Sequence, residues 1–247
     1  RAGLDFVAIT DHNQTVGRDE LAAVGASGVT LIPGVEWTHY AGHANFLGTE
    51  RDFEIGFAVN DKDEIQARFR AAKDAGLTVG INHPFDEGVP FQLDQNALPY
   101  DYLEVWNGPM RTSNLRAIAA WNRLLLAGKR IPGWGGSDYH RDTPFSFLGG
   151  PTAGVYARSR GVEDLLSAIR AGSGFITFEP SGPTIDLSAG DVKIGGCVSF
   201  RETRSVHLSV DRLKTGDTLR ILTPAGEMEA LTAGSAGSAE IDFPIDA

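Results

Sequence analysis

The chain has 247 residues, 42% of them hydrophobic and 22% charged, a globular balance that excludes a fibrous repeat or a disordered chain. At roughly 150 residues per domain this length corresponds to about 1.6 domains, one large unit with a small appendage. Acidic residues outnumber basic ones by 32 to 22, and a net charge of −10 repels phosphate backbones, so no nucleic-acid partner is expected.

In chain order, short apolar runs alternate with helical patterns, the sign of βα units and a largely parallel sheet. The runs Leu4 to Thr10, Val29 to Trp37, Leu77 to Asn82, Tyr102 to Trp106, Ile131 to Trp134 and Ala153 to Tyr156 read as strands. Asp61 to Glu64 reads as a capping box opening a helix with Ile65, Phe69 and Ala72 on its apolar stripe and Gly76 as its stop. Thr112 or Ser113 is expected to cap a second helix ending at Gly128, and Ser159 or Gly161 opens a third over Val162 to Ala171. Beyond Pro183 the texture changes to short alternating runs split by Gly, Ser and Thr, expected to form a small antiparallel module. The expected division is therefore a larger α/β domain over 1–183 and a β-rich module over 184–247.

Cysteine chemistry is nearly absent: Cys197 alone excludes an internal disulfide or a multi-cysteine zinc site, and it reads as a small buried residue. No apolar run approaches the ~20 residues of a membrane span. A soluble protein, cytoplasmic or exported, is expected. There is no Walker loop, nucleophile elbow or dinucleotide fingerprint.

The informative residues sit at the ends of the strand-like runs. They are His12 in Ile9-Thr-Asp-His-Asn13, Glu36 in Pro33-Gly-Val-Glu-Trp37, His43 in Gly42-His-Ala-Asn45, His83 in Ile81-Asn-His-Pro84, and Asp138 with His140 in Gly135-Gly-Ser-Asp-Tyr-His140. A single histidine after a strand is usually a cap or a satisfied loop residue. Several strand ends carrying such residues converge on one face of a β/α barrel, where scattered side chains meet in one pocket. Imidazole with carboxylate suits zinc, manganese or iron. His39 and His207 read as a loop residue and a solvated strand residue. Arg111 and Arg141 offer guanidinium groups near the same rim for phosphate or carboxylate oxygens, and Asn107 and Asn13 offer amides.

These motifs, with Glu104-Val-Trp-Asn-Gly108 and the stretch from Leu148 to Pro183, resemble the PHP (polymerase and histidinol phosphatase) superfamily, in particular its CehA/McbA-type branch. The resemblance covers about residues 1–183. It implies a distorted (β/α)7-type barrel followed by the small antiparallel β module, two or three divalent metal ions (zinc, manganese or iron), and a small-molecule phosphoester as substrate. Related branch members imply carbamate or ester hydrolysis as the alternative. A non-catalytic metal-binding scaffold is the third reading.

By the same analogy, Glu36, His43 and His83 hold one metal, Glu36 bridges to a second that Asp138 contacts, and His12 and His140 belong to a third position. Asp138, His140 and Arg141 are the expected catalytic groups, and Arg111 and Asn107 the substrate contacts. The strongest occupancy is expected at Glu36, His43 and His83. The family's opening His-x-His strand has no counterpart here. The chain opens Arg-Ala-Gly-Leu without Met, so the natural N-terminus is expected upstream.

Overall fold

The computed structural model describes residues 2–24, 28–50, 53, 56, 58–199, 201, 203, 205–223 and 226–244, apart from the side chains of 228–230. Its first half runs β1 (Phe6–Ile9), α1 (Arg18–Val24), β2 (Thr30–His39), β3 (Gly42–Leu47), α2 (Lys62–Asp74), β4 (Thr78–Ile81), β5 (Tyr102–Asn107), α3 (Thr112–Leu126) and β6 (Gly133–Gly136). There follow β7 (Thr152–Val155), α4 (Val162–Ala171) and β8 (Gly174–Thr177). The chain closes with β9 (Thr184–Ala189), β10 (Val192–Lys193), β11 (Ser205–Leu213), β12 (Thr218–Thr223), β13 (Gly226–Thr232) and β14 (Gly237–Pro244).

The first six strands form one sheet in sequential order. β1, β2, β4, β5 and β6 run in one direction; β3 is inserted antiparallel between β2 and β4. This departs from the regular β/α alternation expected of a sevenfold barrel, because β2 returns through the two-residue hairpin Tyr40-Ala41 rather than through a helix. β7 and β8 form a separate antiparallel pair. Sequence periodicity passes over β3, which is absent from the strand-like runs read above. Its strand conformation is secured by ladders on both sides, and its residues are nearly all buried.

Alternation along the strands sorts the two faces. Val35, Trp37, Val79, Ile81, Leu103 and Val105 pack with Ile65, Phe69 and Ala72 of α2 and Ala117 of α3. On the opposite face Ile32, Tyr102 and Trp134 pack against Leu165, Leu166 and Ile169 of α4. Each such fully buried side chain contributes about 1.5–3 kcal/mol of transfer free energy. Ile32 and Glu36 are four residues apart on β2 and so share the α4 face. Gly80 is required here, because a Cβ at that position would overlap the Tyr102 ring.

Helix punctuation follows the sequence where the signal is local. The Asp61 carboxylate accepts from the backbone N–H groups of Asp63 and Glu64 at 2.9 and 3.1 Å, a cap worth about 1 kcal/mol. Gly172 ends α4 in the left-handed conformation at φ 70°. The start of α3 differs from expectation: Arg111 is the N-cap and neither Thr112 nor Ser113 caps. Asn114 folds back instead, accepting from Asn107 N at 3.2 Å and donating to the Asn107 and Pro109 carbonyls at 3.1 Å each. That clasp fixes the β5–α3 turn and holds Arg111 at the sheet rim.

Residues from Thr184 onward build an antiparallel sheet in the order β10-β9-β11-β14 and the hairpin β12–β13. Leu208, Val210, Leu213 and Ile221 form its own apolar cluster. Cys197, expected to be buried, is exposed. Among the described residues no helix is long and apolar enough to cross a membrane.

Candidate metal centre

Strand register explains how distant histidines meet. β1 pairs β2 in parallel with a constant offset, Phe6 against Thr30 and Ile9 against Pro33, and the same offset sets His12 opposite Glu36. β3 is antiparallel, so it delivers His43 from its beginning to the rim that the other strands reach with their ends. His83 follows β4, Asn107 ends β5, and Asp138 and His140 follow β6. Among the described residues, three of the four non-glycine residues with positive φ lie on this rim: Asn13 at 54°, His83 at 24° and Asp138 at 46°. Asn and Asp tolerate that region; for His83 it is strain, of the kind that concentrates at functional sites.

Glu36 is the hub. It is buried, with 5% of its surface exposed. Its Oε1 faces Asn82 Nδ2 at 2.8 Å, His43 Nδ1 at 3.2 Å and His83 Nε2 at 3.5 Å, while Oε2 faces His12 Nδ1 at 2.8 Å. Burial alone would raise the Glu36 carboxyl. The hydrogen bonds from His43, His83 and Asn82 outweigh it and hold the group far below the ordinary carboxylate range. Burial would likewise lower His83, but the Glu36 hydrogen bond and the charges of Glu104, Glu36 and Asp138 push it up to about 9. Burial raises Glu104 to about 7, against the opposing pull of the His83 charge and backbone N–H.

The hydrogen-bond network assigns the histidine tautomers. The Thr38 hydroxyl donates to the Glu36 carbonyl at 3.1 Å, so toward His12 Nδ1, at 2.7 Å, it accepts. The other neighbour of Nδ1 is a carboxylate oxygen, also an acceptor. His12 therefore carries a proton on Nδ1, and in its neutral form presents a lone pair at Nε2. His140 Nδ1 lies 3.0 Å from the Asp138 carbonyl, which only accepts, so His140 too presents its lone pair at Nε2. These two Nε2 atoms face each other at 3.3 Å.

Two lone pairs at that separation repel unless a metal ion or a shared proton lies between them. Two nitrogens held at about 2.0–2.1 Å by one tetrahedral zinc are themselves separated by about 3.3 Å. The donor set thus fits a metal. Ligand atoms of His12, Glu36 and His43 lie within 4.8 Å of one another, the one such group among the described residues. His83, which the sequence reading placed with Glu36 and His43, has its Nε2 3.5 Å from the same Glu36 Oε1 that His43 faces. The His83 ring stands edge-on to His43 with centroids 5.0 Å apart, and its Nδ1 is buried without a hydrogen-bond partner.

A cleft of about 180 Å³ opens beside this cluster, lined by His83 and Asp138 together with Asp86, Asn107, Arg111 and Ser146. Arg141 is exposed and lies outside the cleft lining. Three further groups went unassigned in the sequence. Glu104 Oε2 accepts from His83 N at 2.7 Å and from Asn107 Nδ2 at 3.3 Å. Asn82 supports Glu36, and Thr38 supports His12. Glu104 left one trace, an acidic residue at an inward position of an otherwise apolar strand.

No protein-family model matches the chain, and no curated protein does. Among solved structures it is similar to a two-domain protein from Bacteroides vulgatus containing a predicted PHP-like metal-dependent phosphoesterase. The match covers 99% of this chain and 78% of that one, at 17% identity and a TM-score of 0.55. The likeness is one of fold.

Proposed function

We propose that the chain is a metal-dependent hydrolase acting on phosphoesters, with a PHP-type catalytic unit over residues 1–183 and a distinct β module from residue 184. One observation carries the reading: the His12 and His140 lone pairs converge beside the buried Glu36 carboxylate and His43. The likeness of fold to a PHP-like protein supports it.

In this reading His12 and His140 would hold a divalent ion through their Nε2 atoms, Glu36 would anchor His12 at Nδ1 while its other oxygen faces His43 and His83, and Asp138 would complete the set toward the cleft. When bound, such an ion lowers the pKa of water toward 7 and neutralises charge on a phosphoryl group. The chain's own residues do the rest. Glu36 and Thr38 keep the imidazoles oriented with Nε2 outward. Asn107 donates to both Glu104 and Asp138 at 3.3 Å and so holds Asp138 at the junction of cluster and cleft. Asp138 takes the proton of the attacking water. Arg111 and Asn107 contact the substrate from the cleft.

The carbamate or ester alternative would be favoured by an apolar pocket, for which Trp37, Tyr40, Phe85 and Trp106 are the aromatic candidates near the rim motifs. Trp37 is instead fully buried and stacked on His39, Tyr40 is exposed, and none of the four lines the cleft. A polar cleft favours the phosphoester. The test is a metal-loaded sample assayed on p-nitrophenyl phosphate and bis(p-nitrophenyl) phosphate, with aryl carbamates and carboxyl esters in parallel. Phosphoester turnover abolished by chelator is expected. Turnover of carbamates or esters alone would overturn the reading, and one metal or none per chain with no activity would favour the scaffold.

A further inference from the structure

The cleft beside the histidine cluster carries polar groups that nothing else in the fold uses. Asp86 spends Oδ1 on the backbone N–H groups of Gly88 and Val89, at 2.8 and 3.1 Å. Its other oxygen faces Arg111 Nη1 at 3.9 Å, beyond hydrogen-bond length. Asn107 commits its side-chain N–H groups to Glu104 and Asp138, and its side-chain Oδ1 has no partner among the described residues. The hydroxyls of Ser137 and Ser146 are likewise uncommitted, and both residues line the cleft. The lining therefore presents two acceptors, one guanidinium donor and two hydroxyls that both give and accept. Apolar side chains enter only from Val89 and Pro109.

We propose that this cleft is the subsite for the alcohol half of the phosphoester, and that this half is a compact polyhydroxylated group, a small sugar or polyol. The inference rests on the phosphoesterase reading above and specifies its substrate. Three considerations select this chemistry. A hydroxyl both donates and accepts, so one hydroxyl bridges the gap between Asp86 Oδ2 and Arg111, donating to the first and accepting from the second. A second anion would meet Asp86 and Asp138 as well as Arg111, two carboxylates against one guanidinium. An aryl or alkyl group would leave the charged pair desolvated and unpaired, the arrangement by which polar sites reject apolar analogues. The volume of about 180 Å³ lies below the roughly 300–1,000 Å³ of sites for drug-sized ligands, which selects a group of monosaccharide size or smaller. His83 and Asp138 line the same cleft, so the reacting phosphoryl group is assigned to them and the hydroxyls to Asp86 and Arg111.

The experiment compares kcat/KM of the metal-loaded full chain on glycerol 3-phosphate, ribose 5-phosphate and glucose 6-phosphate with that on phenyl phosphate. Asp86→Asn and Arg111→Met are then measured on the same panel. A preference of at least about tenfold for one or more polyol phosphates is expected, carried mainly by KM. Each substitution should collapse that preference about tenfold. Asp86→Asn keeps the oxygen that caps the 86–89 turn, so an unchanged melting temperature separates loss of recognition from loss of fold. Preference for phenyl phosphate, or an equal loss on every substrate in both variants, would overturn the subsite while leaving the phosphoesterase reading intact. No turnover of any phosphoester would remove both.

Discussion

Replacing Thr38 by valine removes one hydroxyl from β2 and little else. The Asn13 side chain holds the Thr38 backbone from both sides, accepting from its N–H at 2.8 Å and donating to its carbonyl at 3.0 Å, and those bonds survive the change. Valine is β-branched like threonine and suits the strand. What is lost is the acceptor 2.7 Å from His12 Nδ1, together with the donation to the Glu36 carbonyl, which still accepts from Asn13 N at 2.9 Å. The Glu36 carboxylate at 2.8 Å remains as the second acceptor, so the Nδ1–H tautomer is weakened rather than abolished. One net hydrogen bond is worth about 0.5–1.5 kcal/mol. Loss of an outer partner of a ligand histidine costs about 10–100-fold in metal affinity. With one of two acceptors retained, the lower end applies, about tenfold, or about 1.4 kcal/mol. The assay is calorimetric titration of Zn2+ and Mn2+ against a competing chelator, with 15N shifts of the His12 ring reporting the tautomer in metal-free protein. Thr38→Ser, which restores the oxygen, should recover most of the affinity. Unchanged affinity in Thr38→Val, or no recovery in Thr38→Ser, would refute the tautomer argument.

Other expectations follow from the same network. The raised His83 contributes stability that is fully present below its unfolded value of 6.5 and is lost as pH climbs toward about 9. Metal-free protein should therefore melt lower across that window, while the stabilisation given by added metal should grow, since ligation needs neutral imidazole; parallel slopes in thermal melts would contradict this. At the acid end the depressed Glu36 carboxyl gives the opposite sign, with stability present above its ordinary value of 4.5 and lost below it. Glu36→Gln should let His83 titrate closer to 6.5 in metal-free protein, read by NMR, and should abolish tight metal binding; a His83 value that stays near 9 would mean Glu104 and Asp138 alone hold it up. Glu104→Gln should leave the melting temperature within a few degrees, because the amide oxygen still accepts from His83 N. Glu104→Ala strands that N–H at a cost of about 1–3 kcal/mol, roughly 2–12 °C in a chain of this size. Equal melting of the two variants would show that the hydrogen bond is dispensable.

Local signals were legible wherever a short segment settles its own structure. The Asp61 cap, the Ile65-Phe69-Ala72 stripe and the Gly172 stop are written within one or two helical turns, and the helices α2 and α4 formed where they fall. β3 was not legible. Gly42, His43 and Asn45 have weak strand preference, and only pairing on both edges, with β2 and β4, makes the segment a strand. The α3 cap was misplaced for a related reason, since Asn114 reaches back across the turn to Asn107 and Pro109 instead of leaving the cap to Thr112 or Ser113.

The sequence by itself determined the chemical inventory: imidazoles and carboxylates placed at strand ends, a single cysteine, and a guanidinium beside the rim. Tertiary structure decided which of those groups touch. The hydrogen bonds and charge effects at this site act over a few ångströms, whereas His12 and His140 are 128 positions apart in the chain and 3.3 Å apart in space. Parallel register set His12 against Glu36, and the reversal of β3 brought His43 to the same rim. The pairing of Thr38 with His12 and of Glu104 with His83 N came from those registers as well. A strand fixes only the alternation of its own side chains; its neighbours and their offsets are fixed by burial of the whole sheet between α2, α3 and α4.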